Sequence, residues 1–315
     1  MNRILVIRGG AIGDFILTLP ALKALRDALP RAHVEILGHK HIAVLAENRF
    51  YAQAVRSIEY APLARFFVSN SELPVELADY FGSFDSIISY LYDPDRVFET
   101  NLRRCGANNL ICGPARIVEN AGHAARQLAR PVEQLGIKVA DLDERIFISK
   151  EDRQVARKFL PTPLRPVMAI HPGSGSRRKN WPIENWIALM SERSELSNSE
   201  THASLIVVGG EADKAEIEQL ETERRQRRVC FAKSLPLPHL ACLLENSTFI
   251  GHDSGISHLA AAAGASCILL FGPTDPHVWA PTNNNVRVLR AAGGNLRHLK
   301  LVDVQKALAE VSPSR

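Results

Sequence analysis

Cysteine is sparse and unpatterned in this chain. Five residues (Cys105, Cys112, Cys230, Cys242 and Cys267) are odd in number and form no C-x-x-C pair. A disulfide framework or a cysteine-built zinc site is therefore not expected, and a reducing, cytosolic setting is. Long apolar runs are also missing. A stretch such as Ser266–Phe271 is far short of the ~18 residues that cross a bilayer. Met1–Gly10 is a strand-like run broken by Arg3, Arg8 and two glycines, and it does not read as a signal peptide. Charge of one sign is scarce as well. The net charge is +4, with 21 basic against 19 acidic residues in 1–160 and 17 against 15 in the remainder. A nucleic-acid footprint, which concentrates basic charge, is not supported. What is present, 46% hydrophobic and 23% charged residues, is the composition of a soluble globular protein. At ~150 residues per domain, about two domains are expected.

The first 28 residues carry the clearest local pattern. Arg3–Arg8 is a β-branched run suited to a strand buried on both faces. Gly9-Gly10-Ala11-Ile12-Gly13 follows as a turn, and Phe15, Ile16, Leu19, Leu22, Leu25 and Leu29 then recur at helical spacing. Pro20 inside that pattern predicts a kink or an early break. The same grammar returns at Pro166–His171, a predicted strand, followed by Pro172-Gly-Ser-Gly-Ser176, the basic Arg177-Arg178-Lys179, and a helix opened by Pro182. Further strands (33–37, 86–90, 109–112, 203–208, 248–251, 267–271) alternate with helices (96–105, 122–135, 212–222, 236–245, 255–263). That alternation predicts an α/β protein with parallel sheets covered by helices. Three prolines in Leu160–Pro166 mark the expected linker. Residues 1–160 and 161–315 are then two Rossmann-like halves, with the final helix, Val302–Val311, able to pack back on the first. Ligands of such sheets bind outside the carboxyl ends of the strands, so both glycine-rich loops are expected to face one cleft.

Four constellations carry chemistry. Asp14 stands at a helix start, either as a cap for orphan N–H groups or as a carboxylate presented to substrate. The Gly9-x-x-x-Gly13 spacing does not fit a dinucleotide fingerprint, and an acid there would repel a pyrophosphate. His171-Pro-Gly-Ser-Gly-Ser-Arg-Arg-Lys-Asn-Trp-Pro182 is not a Walker A loop. Its small residues let backbone N–H groups approach an anion, Ser174 or Ser176 can add a hydroxyl, and Lys179 a point charge. In Gly251–Gly264 a strand gives way to a helix at Gly255, leaving first-turn N–H groups for phosphate. Asp253 there makes more sense against sugar hydroxyls, and His258 reads as a supporting contact or a packed histidine. Phe271-Gly-Pro-Thr-Asp-Pro276 places Thr274 and Asp275 on the rim.

Taken in order, Gly13-Asp14…Leu19-Pro20, His171-Pro-Gly, Lys179-Asn-Trp-Pro182, Gly209-Gly210-Glu211, Asp253-Ser-Gly-Ile-Ser-His258 and Gly272-Pro-Thr-Asp-Pro276 resemble glycosyltransferase family 9, the ADP-heptose:lipopolysaccharide heptosyltransferases. The resemblance spans residue 3 to about residue 310. It implies a GT-B fold, two Rossmann-like domains with parallel sheets facing across a cleft. It also implies inverting, metal-independent transfer of heptose from ADP-heptose to the lipopolysaccharide inner core, with no cofactor beyond the donor. Asp14 carries over as general base. Ser174, Lys179, Ser254 and Gly255 carry over as diphosphate contacts, and Asp253 and His258 as donor-sugar contacts. Thr274 and Asp275 are a weaker donor-side match. Cations of the first half, Arg65, His123 and Arg126, suit an acidic glycolipid such as lipid A-core. The expected enzyme visits the cytosolic face of the inner membrane without anchoring in it. Two other readings stay open, namely another sugar-nucleotide enzyme on this fold (an epimerase or hydrolase) and a non-catalytic sugar-nucleotide-binding protein.

Overall fold

A computed structural model describes residues 2–159, 167–195, 204–222 and 229–311. The chain divides into two units, Met1–Leu142 and Asp143–Arg315. In unit 1 the elements run β1 (Arg3–Arg8), α1 (Ile12–Ile16), α2 (Leu19–Ala28), β2 (His33–Gly38), α3 (Lys40–Ala43), β3 (Ala54–Ser57), α4 (Val75–Gly82), β4 (Ser86–Ser89), α5 (Val97–Arg104), β5 (Leu110–Cys112) and α6 (Ala124–Glu133). The helical pattern after Gly13 does break, between α1 and α2. Pro20 falls in the first turn of α2, where its missing N–H costs nothing. All pairings are parallel, in the order β3-β2-β1-β4-β5, with Val6 opposite Ile36 on one side and Ile88 on the other. Leu5, Ile7, Phe66, Phe81 and Phe98 lie in one core.

Unit 2 runs α7 (Lys150–Phe159), β6 (Val167–Ile170), α8 (Ile183–Glu195), β7 (Ser204–Gly209), α9 (Lys214–Thr222), β8 (Val229–Lys233), α10 (Leu237–Leu244), β9 (Thr248–His252), α11 (Gly255–Ala262), β10 (Ser266–Phe271), α12 (Pro276–Trp279), β11 (Val286–Arg290) and α13 (Leu301–Glu310). Among the described residues its six strands are also all parallel, in the order β11-β10-β9-β6-β7-β8. The α/β parallel architecture is thus as the sequence predicted.

The division differs from the expected one after residue 160. Residues 143–159 belong to unit 2 because they are tied to it. The Glu144 N–H donates to Asn283 Oδ1 (3.2 Å), and Asn283 Nδ2 returns a bond to the Glu144 carbonyl (2.9 Å). The Ile146 N–H reaches the Ala262 carbonyl, and Arg153 of α7 pairs with Glu245 just beyond α10. The proline-rich 160–166 lies outside the described residues. The last helix contributes Val304, Ala307 and Leu308 to the core of its own unit, beside Trp186, Val207 and Leu270.

One charged cluster in unit 1 sets a measurable acid response. Arg96 and Arg103 both bond the Glu99 carboxylate (2.7 and 3.0 Å). The bond from Arg96 is the largest influence holding Glu99 down to about 2, against burial, which acts the other way. A depressed folded-state value means the stabilisation is full above the ordinary value of 4.5 and is lost as pH falls toward 2. Glu99→Gln is expected to lower the urea midpoint at neutral pH. The gap to the parent protein should narrow below about pH 4 and close near pH 2. An equal gap at pH 7 and pH 2 contradicts this.

Candidate functional site

Unit 1 reverses its strand order between β1 and β4, which opens a crevice at their carboxyl ends. There β1 ends in Arg8, and the chain turns through Gly9 and Gly10 into α1. Gly10 has φ +95°, and a side chain on it would stand 2.7 Å from Asp14 Oδ2, so this turn requires glycine beside that carboxylate. Asp14 lies in the first turn of α1, and its Oδ2 accepts the Ala11 N–H (2.9 Å). Beneath it lies Arg8, 5% exposed, with its guanidinium over the Tyr90 ring at the end of β4. Arg8 donates to the Asp14 carbonyl from Nε and Nη2 (3.2 and 2.9 Å) and to the Thr18 hydroxyl (3.1 Å). Its Nη2 also stands 3.5 Å from Asp14 Oδ1. Burial pushes the Arg8 guanidinium below its ordinary value, against the attraction of Asp14. Asp14 therefore does cap α1, and its half-exposed carboxylate is also held from below by a buried cation. Sequence reasoning missed Arg8. The available signal was a charge closing the strand directly after the apolar Ile4-Leu-Val-Ile7.

Unit 2 reverses between β6 and β9. The loops after those strands are the two motifs singled out by sequence, and the structure brings them together. Lys179 Nζ lies 2.6 Å from Asp253 Oδ2, and the Thr274 hydroxyl donates to the same oxygen (2.8 Å). One ammonium hydrogen is thereby committed and two remain for a ligand. Ser254 caps α11, taking the Ser257 N–H on its hydroxyl (3.3 Å). The next two amides, of Gly255 and Ile256, have no preceding helical carbonyl, so they suit an anion. Ser174 turns its hydroxyl to Asn180 Oδ1 (2.6 Å), inside its own loop. Asp275 caps α12 through the His277 N–H (3.1 Å) and stands 3.6 Å from Arg290.

Buried histidines hold this loop pair. His252, the last residue of β9, is fully enclosed, and burial pushes it down to about 3 against its bond to the Gly173 carbonyl. It is neutral, as its bonds require. Nε2 accepts the Trp181 N–H (2.8 Å), and Nδ1–H donates to the Gly173 carbonyl (3.2 Å). The Trp181 indole donates to the Leu299 carbonyl (2.8 Å) and closes the far end of the loop. His171 lies between Asp213 and Ser254, at 3.1 and 3.3 Å. His258 is buried, with Nδ1 2.7 Å from the enclosed carboxylate of Glu144.

The three acceptor-side candidates differ. Arg65 is exposed, in a 3₁₀ turn over Ala61–Phe67. His123 caps α6, its Nδ1 accepting the Ala125 N–H (3.2 Å). Arg126 donates to the Val139 carbonyl (2.5 Å) and to Glu133 (3.2 Å). Among the described residues, no group of three His, Cys, Asp or Glu side chains is placed to hold a metal ion, and no helix is long and apolar enough to cross a membrane.

Comparison with known proteins follows the same lines. Over 159 residues the chain is 28% identical to a Haemophilus influenzae lipooligosaccharide heptosyltransferase 2, a match that covers 47% of this chain and 44% of that protein. The chain thus spans less than half the length of that relative. Two solved structures share its fold over 98% of its length. One is a family 9 glycosyl transferase from Veillonella parvula (TM-score 0.80, 20% identity, 96% of that chain). The other is the Escherichia coli ADP-heptose lipopolysaccharide heptosyltransferase II (TM-score 0.76, 16% identity, 97% of that chain). The family model for glycosyltransferase family 9 (heptosyltransferase) matches residues 115–309, well over half of the chain and including the whole Lys179, Asp253 and Thr274 cluster. With the parallel sheets and both switch-point loops in place, the chain belongs to glycosyltransferase family 9.

Proposed function

We propose that this protein is an inverting glycosyltransferase that moves a heptose from ADP-heptose to the inner core of lipopolysaccharide without a metal ion. The observation that carries this is the convergence of Lys179, Asp253, Thr274 and Ser254 at the switch point of unit 2, within the segment that matches the family. In the reaction the bond from the sugar's anomeric carbon to the phosphate oxygen breaks, and its electron pair leaves with the nucleoside diphosphate. The acceptor oxygen bonds to that carbon from the opposite face, and its proton passes to the Asp14 carboxylate. Lys179 and the amides at the start of α11 meet the charge growing on the diphosphate. Asp253, with one oxygen held by Lys179 and Thr274, presents the other to sugar hydroxyls, and Ser174 and Asp275 border the donor. An acidic glycolipid acceptor at the cytosolic face of the inner membrane suits exposed Arg65. Arg126 and His123, which bond local backbone, serve that side less directly.

A thermal-shift panel of ADP-, UDP- and GDP-sugars tests the reading. ADP-heptose at about 100 times its Kd is expected to stabilise by about 2.7 kcal/mol, and the other bases by much less. Lys179→Gln should remove most of that gain while leaving the ligand-free Tm nearly unchanged. A preference for UDP or GDP contradicts the donor assignment, and equal turnover of ADP-heptose with and without acceptor contradicts transfer.

A further inference from the structure

The loops after β4 and β5 display two side chains that the transfer chemistry above does not use. Tyr92, just beyond β4, is 61% exposed. The Arg116 guanidinium lies 4.5 Å from the centre of its ring. Arg116 is itself exposed, and among the described residues no carboxylate pairs with it. A large aromatic ring and an unneutralised cation therefore stand together in solvent.

Both loops are pinned from behind. In the first, Asp93 accepts the Phe98 and Glu99 N–H groups on its two oxygens (3.1 and 2.8 Å). Arg96 in the same loop bonds both oxygens of Glu99 (2.7 and 2.9 Å). In the second, the buried Gln127 side chain of α6 accepts the Val118 N–H (2.9 Å) and donates to the Val118 and Gly122 carbonyls (2.8 Å each). The Gly113 N–H bonds the Ser89 carbonyl at the end of β4 (2.7 Å) and ties the two loops together. None of these bonds uses Tyr92 or Arg116. The backbone that carries the pair is thus set before any ligand arrives, which lowers the ordering cost of binding.

The pair also lies next to the Asp14 turn. Arg8 stands over the Tyr90 ring, 5.6 Å from its centre. Leu91 borders Gly9, its Cδ2 3.5 Å from where a side chain on that glycine would begin. Tyr92 follows directly, at the crevice that opens at the carboxyl ends of β1 and β4. An open aromatic face suits the C–H face of a sugar ring. A guanidinium fork suits a carboxylate or a phosphate.

We infer that Tyr92 and Arg116 form a platform for the acceptor, the ring stacking on an acceptor sugar and the guanidinium binding an anionic group, carboxylate or phosphate, on that sugar or its neighbour. The platform selects an acidic acceptor and holds it beside Asp14. The inference rests on the reading of Asp14 as the base that activates the acceptor hydroxyl. The acids nearest in sequence to Tyr92, Asp93 and Glu99, are already held by α5 amides and by arginines, so they leave Arg116 to the ligand.

Steady-state kinetics at saturating ADP-heptose test this, with lipid A-core stripped of its fatty acyl chains as a soluble acceptor. Arg116→Gln is expected to raise the acceptor KM by about tenfold or more, and Tyr92→Ala by about five- to tenfold. Tyr92→Phe retains the ring and should recover most of that loss. In each variant kcat should stay within about twofold, because Asp14 is untouched. Both side chains are exposed, so the ligand-free Tm should hold. The anion is identified by repeating the assay on acceptor treated with phosphatase and on acceptor with reduced carboxyl groups. The Arg116→Gln penalty should vanish in the arm that removes its partner. A penalty that survives both treatments, or an unchanged KM in Arg116→Gln, overturns the platform while the transferase reading stands. Unchanged KM with lost binding to anionic lipid vesicles would mark a membrane contact, and it overturns the platform too. No transfer by the parent protein to any of these acceptors overturns the transferase reading and the platform with it.

Discussion

Asp14→Asn is expected to lower kcat for heptose transfer by about a thousandfold, or about 4 kcal/mol in the barrier, while leaving the Kd for ADP-heptose within about twofold. The substitution is nearly isosteric. An amide oxygen can still take the Ala11 N–H, and the two bonds from Arg8 go to the Asp14 carbonyl, which the change does not touch. The turn through Gly10 therefore survives, and what is lost is the ability to accept a proton. Every residue proposed to hold the donor lies in unit 2, so donor affinity has no direct reason to change. Steady-state kinetics with calorimetric Kd values separate the two effects. Retention of more than about a tenth of the rate contradicts the general-base role.

Gly173→Ala should be nearly as damaging, through geometry. A methyl group there would lie 1.7 Å from Asp213 Oδ1 and 2.3 Å from its Cγ. Neither side can yield cheaply. Asp213 is bonded to His171 and Gly210, and the Gly173 carbonyl accepts from buried His252. The loop must move outward, carrying Lys179 and Ser174 with it. The expected result is a loss of about 2–4 kcal/mol in stability and a rise of about a hundredfold or more in the Kd for ADP-heptose. A double mutant identifies the cause. Asp213→Gly in the Gly173→Ala background removes the Cβ, Cγ and Oδ1 contacts together and should recover stability without recovering binding, a strongly non-additive pair. Additive losses would show that the contact is not the reason for the glycine.

The sequence made the loops legible and left their supports hidden. Gly13-Asp14, His171–Pro182 and Asp253–His258 announce themselves because backbone turns, helix starts and anion sites have strict local residue requirements. Their partners come from far along the chain. Asp213 is 42 positions from His171, and Glu144 is 114 from His258, so no local spacing reveals either pair. The central strands were readable as apolar runs. The edge strands β3, β8 and β11 were not, since each is short and only partly buried, and β3 and β11 interrupt their apolar residues with arginine. Their existence follows from the sheets that they complete.

The segment beginning at Asp143 bears on where this protein can be cut. Proline-rich 160–166 is the obvious place to separate the halves, but a C-terminal fragment made there would lack Glu144 and α7. His258 would lose the carboxylate on its Nδ1, Asn283 both of its backbone partners, and α10 the helix packed on it. A shuffled or grafted donor half should therefore begin at Asp143, and recombination between relatives should be tolerated far better at that point than at the prolines.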